Sequence, residues 1–257
     1  MAKGKSSSMI RLMISLKEEK KLWEKGYKRV VGLDEAGRGP LAGPVVAAAI
    51  TIKNPKSEIL NPKQNPKSQI PNSKLLEYWK IRISDLFRIS NLGFRILKLR
   101  DSKKITPKQR EKFYKLITNN PNIEWGIGKV SEKVIDKINI LEATKLAMKK
   151  AIENLNSKLK SQNSKVDFLI TDGNFKLDLP IPQKSIIKAD EKVFSCALAS
   201  IIAKVWRDRI MKRYHQKYPQ YGFGQHKGYP TKEHYKKIKK YGPCKIHRKS
   251  FKLNEVF

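Results

Sequence analysis

Apolar residues in this chain fall into short continuous runs and into spaced sets, and the two patterns predict different elements. Continuous runs predict buried strands, and apolar residues that recur every three or four positions predict helices with one packed face. The strands are expected at Arg29–Leu33, Val45–Ile52, Phe94–Asp101, Ile123–Val130, Val166–Thr171 and Lys184–Asp190. The helices are expected at Leu16–Tyr27, Leu75–Ser90, Gln109–Ile117, Ser131–Lys137, Ile140–Leu155, Lys192–Tyr214 and Tyr235–Lys240. This order of elements is that of an α/β protein.

One segment, Lys53–Lys74, breaks the pattern. Its prolines are spaced too densely for a helix or a strand, and NPKS, NPKQ and NPKS begin at positions 54, 61 and 65. Low hydrophobicity with repeated Pro, Asn and Lys predicts a disordered, solvated insertion. We therefore divide the chain into an N-terminal extension with a helix (1–27), a main domain (28–220) that contains the insertion (53–74), and a C-terminal loop with a basic helical segment (221–257).

The net charge indicates the kind of partner. Among 257 residues, 56 Lys and Arg stand against 23 Asp and Glu, which gives a formal net charge of +33. Such an excess favours a polyanionic partner, and nucleic acid is the expected one. AT-rich coding also inflates Lys, Ile and Asn, so charge alone does not separate an enzyme from a nucleic-acid-binding protein.

The apolar runs and the cysteines bear on location. No apolar run approaches the ~18 residues of a membrane span, so no membrane partner is expected. Cys196 and Cys244 lie far apart without a CxxC partner, which fits a reducing compartment and argues against a cysteine-based zinc site. No secretory signal is visible, although the basic, acid-free first sixteen residues leave a weak organelle-targeting alternative. We expect a cytoplasmic protein.

Candidate chemistry begins at Asp34 and Glu35, which stand between an apolar strand and a glycine-rich turn. Neighbouring carboxylates at a buried strand end repel each other and lose solvation unless a cation lies between them. Gly37 and Gly39 flank Arg38, so the backbone can approach a ligand closely beside one fixed cation. An isolated Asp-Glu pair is usually a solvated strand end, but the full run through Pro40 is far more specific.

The same glycine run formally fits the dinucleotide-binding fingerprint G-x-G-x-x-A. That fingerprint must open a helix whose N-terminus holds the pyrophosphate. Here Gly43-Pro44 and a β-branched run follow instead, and the two acids would repel a pyrophosphate. Dinucleotide binding is therefore set aside.

Two further acids stand at the ends of predicted strands. Asp172 follows Val166–Thr171, and Asp190 ends Lys184–Asp190. Catalytic carboxylates gather at such strand ends in α/β sheets, although an Asp-Gly pair alone is more often a turn. His226 and His234 lie in a glycine-rich, aromatic stretch (Tyr221–His234) that is expected to be a loop. With no third soft ligand nearby, substrate or structural contacts are favoured over a metal site.

The run GLDEAGRGPLAGPVVAA at 32–48 resembles the signature of type 2 ribonuclease H, ribonuclease HII. The resemblance recurs in order at DSKK (101–104), at the strand that ends in Asp172-Gly173, at KADEKVFSCALASIIAKVWRD (188–208), at HKGYPTKEH (226–234) and at HRKSF (247–251). It covers Leu16 to Phe251 apart from the insertion, which is a departure from the family.

The resemblance implies a fold and a set of residues. The fold is the ribonuclease H-like one, a central mixed sheet flanked by helices, with residues 28–220 as the catalytic domain and a small helical C-terminal extension. The implied catalytic residues and ligands of Mn²⁺ or Mg²⁺, with two ions during catalysis, are Asp34, Glu35, Asp172 and Asp190. The implied readers of the RNA–DNA junction are Gly37, Arg38, Gly39 and Tyr229. Further candidates for substrate contact are Lys188, Ser195 and Lys204, although helix packing explains the last two equally well.

The resemblance also implies an activity. The family hydrolyses RNA in RNA–DNA hybrids and cuts 5′ of single ribonucleotides in duplex DNA, leaving 3′-hydroxyl and 5′-phosphate ends. Two alternatives stay open: a type 3 ribonuclease H, disfavoured by the full Glu-Ala-Gly-Arg-Gly-Pro run, and a non-catalytic nucleic-acid-binding protein of the same fold, which would need no acidic cluster. We expect a monomer that acts on hybrids and on ribonucleotide-containing duplex DNA.

Overall fold

The computed structural model describes residues 15–54, 105–159 and 165–253. The predicted helix at Leu75–Ser90, the predicted strand at Phe94–Asp101, the DSKK stretch and the insertion after Asn54 lie outside the described residues. The strands are β1 Val30–Ala36, β2 Val45–Ile52, β3 Ile123–Val130, β4 Phe168–Asp172 and β5 Gln183–Ile186. The helices are α1 Lys17–Glu24, α2 Pro107–Thr118, α3 Glu132–Lys158, α4 Phe194–Lys217, α5 Phe223–His226 and α6 Lys232–Tyr241.

The strands of the described ranges form one five-stranded sheet in the order β3-β2-β1-β4-β5. β1 pairs antiparallel with β2, and β2 pairs antiparallel with β3. β1 pairs parallel with β4, and β4 pairs parallel with β5. The predicted α/β architecture with a central mixed sheet is confirmed, and β1 lies at the centre of the sheet.

Helices cover both faces of the sheet. On one face, Ile202 of α4 belongs to a buried apolar cluster with Ile50 of β2. On the other face, Met148 of α3 belongs to a cluster with Leu33 of β1. Since both faces are covered, β1 and β2 read as continuous apolar runs rather than as alternating patterns. This is why a continuous apolar run predicted β2 at the position that the structure gives it. β3, which was predicted from a mixed alternation, has a mixed burial pattern and the predicted bounds.

Glycines in the strands bring these helices close to the sheet. A Cβ at Gly128 of β3 would lie 1.9 Å from the Ala147 carbonyl oxygen of α3. A Cβ at Gly32 of β1 would lie 2.4 Å from Ser195 Oγ, in the first turn of α4. Any side chain at either position would therefore push a helix away from the sheet.

The two helices expected at Ser131–Lys137 and Ile140–Leu155 are the two halves of α3. Asn139 interrupts the helix with φ 65° and ψ 169°. Its side-chain oxygen accepts the amides of Leu141 and Glu142 at 2.9 and 3.1 Å, as a helix N-cap does. The break between the two predicted helices is confirmed.

Two expectations about local structure are wrong. β5 ends at Ile186, and Asp190 lies in a 3₁₀ turn, Ala189–Glu191, rather than at the end of a strand. The stretch Tyr221–His234 is not a loop outside the core, because it contains α5 and because Tyr221 and Phe223 are buried. Its rings pack on one another and on Ala42, which lies in the glycine-rich turn.

The C-terminal segment is thus joined to the main sheet by a small core of its own. Leu41 donates its amide to the Gly228 carbonyl at 2.8 Å, and Gly43 donates to the Ile246 carbonyl at 2.8 Å. The domain boundaries at residues 27 and 220 stay a prediction. No helix in the described ranges is both long enough and apolar enough to cross a bilayer.

Candidate active site

The register of the parallel strands brings two of the predicted acids together. Leu33 of β1 pairs with Thr171 of β4. The next residue on each strand is an aspartate, so Asp34 and Asp172 lie side by side at the same edge of the sheet. Parallel neighbours present their carboxyl ends at one edge, which is where ligands bind in such sheets.

The third acid is brought in by a turn. Asp172 Oδ1 accepts the amide of Ala189 at 2.9 Å, and this bond holds the 3₁₀ turn against the sheet edge. The turn carries Asp190. One oxygen from each of Asp34, Asp172 and Asp190 lies within 4.8 Å of the other two.

Glu35 adds a fourth carboxylate to the same cavity. Its Oε1 lies 3.5 Å from Arg38 Nη1, and its Oε2 is buried without a hydrogen-bond partner among the described residues. The Glu35 amide donates to Asp34 Oδ1 at 2.7 Å, so the side chain of Asp34 is oriented by the following peptide. An orphaned buried carboxylate oxygen beside three other carboxylates is the donor set of a cation site.

The electrostatics of the cluster agree with this assignment. Burial raises the pKa of Asp34 well above its usual range, and the charges of Glu35 and Asp172 raise it further. Burial raises the pKa of Glu35 to about 7, although the Arg38 guanidinium opposes the rise. Charged carboxylates are therefore costly here without a cation. All the donors are hard oxygens, which suit Mg²⁺ or Mn²⁺.

The glycine turn, residues 37–43, contributes Gly37, Arg38 and Gly39 to the wall of the same cavity, whose volume is about 510 Å³. Gly37 has φ 102°, and a Cβ there would lie 2.1 Å from Arg207 Nε. Gly39 is different, since a Cβ there would have only Tyr229 Cε1 within 4 Å, at 3.9 Å. Tyr229 is 44% exposed. The glycine turn therefore presents an open face beside the Tyr229 ring.

Nine of the eleven predicted site residues line this one cavity. They are Asp34, Glu35, Gly37, Arg38, Gly39, Asp172, Asp190, Lys204 and Tyr229. Ser195 is not among them: it is fully buried, and its amide and hydroxyl donate to Glu19 Oε1 at 2.8 and 2.7 Å. Lys188 is also absent, and its Nζ lies 3.9 Å from Glu191 Oε1. Ser195 fixes the start of α4, and neither side chain touches the cavity.

Sequence reasoning missed residues that support the site from beneath. Ser200 hydrogen-bonds Asp34 and lines the cavity. Arg207 also lines it, while Arg248 is fully buried under the glycine turn. Ser200, Lys204 and Arg207 recur at spacings of four and three along α4, which places them on one face of the helix. That spacing is the signal in the sequence that could have identified Ser200 and Arg207.

The histidines make structural contacts rather than a metal site. His234 Nδ1 lies 2.9 Å from the Tyr229 carbonyl, and His234 Nε2 lies 3.1 Å from His247 Nε2. His247 Nδ1 accepts the Cys244 amide at 2.9 Å. These partners fit neutral rings in which His247 donates to His234. Burial lowers the pKa of His234 to about 3 and that of His247 to about 4. The buried chain of rings fixes the carbonyl of Tyr229.

A mixed sheet in this order, with an acidic cluster at the end of its central parallel pair and lysine and arginine on the cavity wall, defines a nuclease of the ribonuclease H-like class. Comparisons with known proteins give the family. The family model for ribonuclease HII matches residues 88–254. Ribonuclease HII of Chlamydia trachomatis serovar A is 43% identical over 239 residues, which cover 91% of this chain and 89% of that protein.

Two further relatives agree. Ribonuclease HII of Acetivibrio thermocellus is 46% identical, with 93% of this chain and 75% of that protein covered. The crystal structure of ribonuclease H2 from Pyrococcus horikoshii OT3 superposes with a TM-score of 0.57 at 27% identity, and covers 88% of this chain and 94% of that chain. The chain belongs to the ribonuclease HII family. It is a ribonuclease H, a metal-dependent hydrolase with ribonuclease H activity on RNA–DNA hybrids.

Proposed function

We propose that this ribonuclease H recognises the junction between RNA and DNA, and that it cuts 5′ of single ribonucleotides embedded in duplex DNA as well as the RNA strand of hybrids. The products would carry 3′-hydroxyl and 5′-phosphate ends. One observation carries this proposal: the open face of the glycine turn and the exposed Tyr229 ring share a cavity with the acidic cluster. A reader of ribose and a hydrolytic centre therefore lie within reach of one nucleotide.

The hydrolytic centre is assigned to Asp34, Glu35, Asp172 and Asp190, which would hold Mg²⁺ or Mn²⁺. Two such ions would activate a water molecule and stabilise the leaving oxygen. The other contributions come from this chain. Ser200 and the Glu35 amide orient Asp34, and Arg38 faces Glu35.

The reader is assigned to Gly37, Arg38, Gly39 and Tyr229. The 2′-hydroxyl both donates and accepts, and it is the group that distinguishes ribose from deoxyribose. Neither Arg38 nor Gly39 donates its amide to another described residue, so both amides are available to a ligand on the open side of the turn. The Tyr229 ring would stack on the neighbouring sugar, and Lys204 would contact phosphate. The proposal extends to a protein that acts as a monomer.

The alternatives weighed from the sequence are resolved by the family. The relatives at 43% and 46% identity are type 2 enzymes, not type 3. A non-catalytic binding protein would need no acidic cluster, whereas this chain keeps carboxylates at all four positions and brings three within 4.8 Å of one another.

The test uses duplex DNA with a single ribonucleotide, incubated with the protein in Mg²⁺, in Mn²⁺ and in chelator. We expect metal-dependent cutting 5′ of the ribonucleotide, loss of cutting in Asp172→Asn, and normal cutting in the matched control Asp178→Asn. Asp178 is fully exposed and pairs with Lys149. Cutting of long hybrids alone would refute the junction reader and leave the ribonuclease H activity. Binding without cutting in any metal would refute the assigned hydrolytic centre.

A further inference from the structure

Two arginines are buried directly beneath the glycine turn. Arg207 of α4 is 2% exposed, and Arg248 of the C-terminal segment is fully buried. Arg207 donates three hydrogen bonds and Arg248 donates four, and all of them end on backbone carbonyl oxygens. Burying a cation without a paired carboxylate is costly. Burial lowers the pKa of Arg207 to about 10 and that of Arg248 to about 9, so both still carry charge at neutral pH.

Arg248 fixes the direction of the peptides in the glycine turn. Its Nη2 donates to the Gly37 carbonyl at 2.6 Å, and its Nη1 donates to the Arg38 carbonyl at 2.8 Å. In a planar trans peptide the carbonyl and the following amide point in opposite directions. Because the two carbonyls point inward to Arg248, the amides of Arg38 and Gly39 point outward. These are the amides that the proposed function assigns to ribose recognition.

The rest of Arg248 holds the other end of the turn. Its Nε and Nη2 donate to the Gly43 carbonyl at 2.9 and 2.8 Å. Its own amide donates to the Leu41 carbonyl at 2.8 Å. One planar fork therefore spans the turn from Gly37 to Gly43, a geometry that a lysine ammonium does not reproduce.

Arg207 joins the glycine turn to the segment that carries Tyr229. Its Nε and Nη2 donate to the carbonyls of Pro44 and Ala42, each at 3.1 Å. The same Nη2 donates to the Lys227 carbonyl at 3.0 Å, and the guanidinium carbon lies 5.8 Å from the centre of the Tyr229 ring. Arg207 thus sets the gap between the two halves of the proposed reader.

Stability alone does not account for two buried cations. Replacement of buried charges by well-packed apolar groups of similar volume is often neutral or stabilising. What such groups cannot do is hold carbonyls at fixed angles. The Gly37 and Arg38 carbonyls bond to Arg248, which is not among the residues that line the cavity, whereas Gly37 and Arg38 themselves line it.

We propose that Arg207 and Arg248 are positioning residues for ribonucleotide selectivity. Arg248 aims the amides of Arg38 and Gly39 at the 2′-hydroxyl, and Arg207 sets the distance from those amides to the Tyr229 ring. Neither arginine touches the acidic cluster in the contacts of the described residues, so their role is separable from hydrolysis. This inference rests on the proposed function.

The experiment compares Arg248→Lys and Arg207→Lys with the wild type, and uses Arg209→Lys as the matched control. Arg209 lies on the same helix, where it pairs with Glu111 at 2.7 Å outside the cavity. For each protein, kcat/KM is measured on duplex DNA with one ribonucleotide and on a long RNA–DNA hybrid. The rise in Tm that Mg²⁺ produces reports on the acidic cluster independently.

We expect Arg248→Lys and Arg207→Lys each to lower the ratio of kcat/KM on the single-ribonucleotide duplex to kcat/KM on the hybrid roughly tenfold or more, because small misplacement of positioning groups costs up to about 100-fold. The Mg²⁺-induced rise in Tm should be retained, and Arg209→Lys should keep the wild-type ratio. An unchanged ratio in the folded Lys variants, or equal losses on both substrates, would overturn the inference. If the wild type itself fails to cut at the single ribonucleotide, the proposed function fails instead.

A milder variant covers the case in which the Lys variants do not fold. The Asp136 carboxylate accepts the amides of Lys249 and Ser250 at 3.0 and 2.9 Å, and so anchors the segment that carries Arg248. Asp136 is partly exposed, so Asp136→Asn should fold. A fall in the ratio in this variant, in the same direction but smaller, supports the inference, and a wild-type ratio overturns it.

Discussion

Replacement of Gly37 or Gly39 by alanine should have different effects: the first should lower stability, and the second should lower activity without lowering stability. At Gly39 the backbone is not left-handed, and an added Cβ would meet only Tyr229 Cε1, at 3.9 Å. Gly39→Ala should therefore change the free energy of unfolding by no more than about 0.5 kcal/mol. At Gly37, φ is 102°, and the Cβ would lie 2.1 Å from Arg207 Nε and 2.8 Å from the Pro44 carbonyl oxygen.

The expected cost at Gly37 is the sum of two effects. A left-handed backbone costs an alanine about 1–2 kcal/mol, and overpacking adds about 1–3 kcal/mol. Gly37→Ala should thus lose about 2–5 kcal/mol, which lowers the Tm by at least about 4 °C in a chain of this size. Cleavage activity should distinguish the two variants as well. Gly39→Ala places a methyl group on the open face of the turn, so kcat/KM on the single-ribonucleotide duplex should fall about 100-fold although the protein is as stable as the wild type.

The assay is a thermal melt of each variant together with cleavage of the single-ribonucleotide duplex. Normal cleavage by Gly39→Ala would show that the substrate does not occupy the open face, and the reader assignment would be refuted. A Tm of Gly37→Ala equal to that of the wild type would show that Arg207 moves aside without cost. That result would contradict the inference that Arg207 holds the glycine turn at a fixed position.

Three other predictions follow from the charges. In chelator at pH 8, Asp34→Asn should have a higher Tm than the wild type, because the raised pKa of Asp34 means that its ionisation costs stability as the pH rises. The gap in Tm should close only below about pH 4, near the pKa of an aspartate in the unfolded chain, and added Mg²⁺ should raise only the wild-type Tm. His247→Gln should lower the free energy of unfolding at pH 7.5. The loss should shrink by up to about 1.4 kcal/mol per pH unit between pH 6.5 and 4, because the pKa of His247 is lowered to about 4 and its stabilising effect is lost as the pH falls through that window. Unfolding in urea at several pH values measures this change. Lys236 and Lys240 are both exposed on α6. Replacing both with glutamine should reduce the magnitude of the slope of log K for DNA binding against log salt concentration by up to about 1.8 if both contact phosphate, and DNA titrations at several salt concentrations measure this slope.

The sequence predicted those features that depend on local pattern. An apolar run located β2, a mixed alternation located β3, and the Asp-Glu pair beside a glycine turn pointed to the acidic cluster. Asp190 was assigned to the site but to the wrong element, because the turn that carries it depends on a bond from the Ala189 amide to Asp172, seventeen residues earlier. No local pattern contains such a bond.

Polar residues in the core were the main source of error. The Tyr221–His234 stretch reads as a loop because histidine, glycine and tyrosine are common on surfaces. In the structure His234 is fully buried because its ring nitrogens meet Tyr229 and His247, and the second of these lies thirteen residues further on. Arg207 and Arg248 belong to the excess of positive charge that predicted a nucleic-acid partner, whereas their guanidinium groups hydrogen-bond to backbone carbonyls inside the protein.

Helix α4 offers a reason why the proposed hydrolytic centre and the proposed reader would keep a fixed separation. Ser200 touches Asp34, Lys204 lines the cavity, and Arg207 holds the glycine turn, all from one face of the helix. At a rise of 1.5 Å per residue, the step from Ser200 to Arg207 is about 10 Å along a rod that does not stretch. An inserted residue between them would rotate Arg207 by about 100° away from the turn, while leaving Ser200 on Asp34. The spacing within α4 therefore fixes where the proposed reader lies relative to the acidic cluster, alongside the direct contact that Arg38 makes with Glu35.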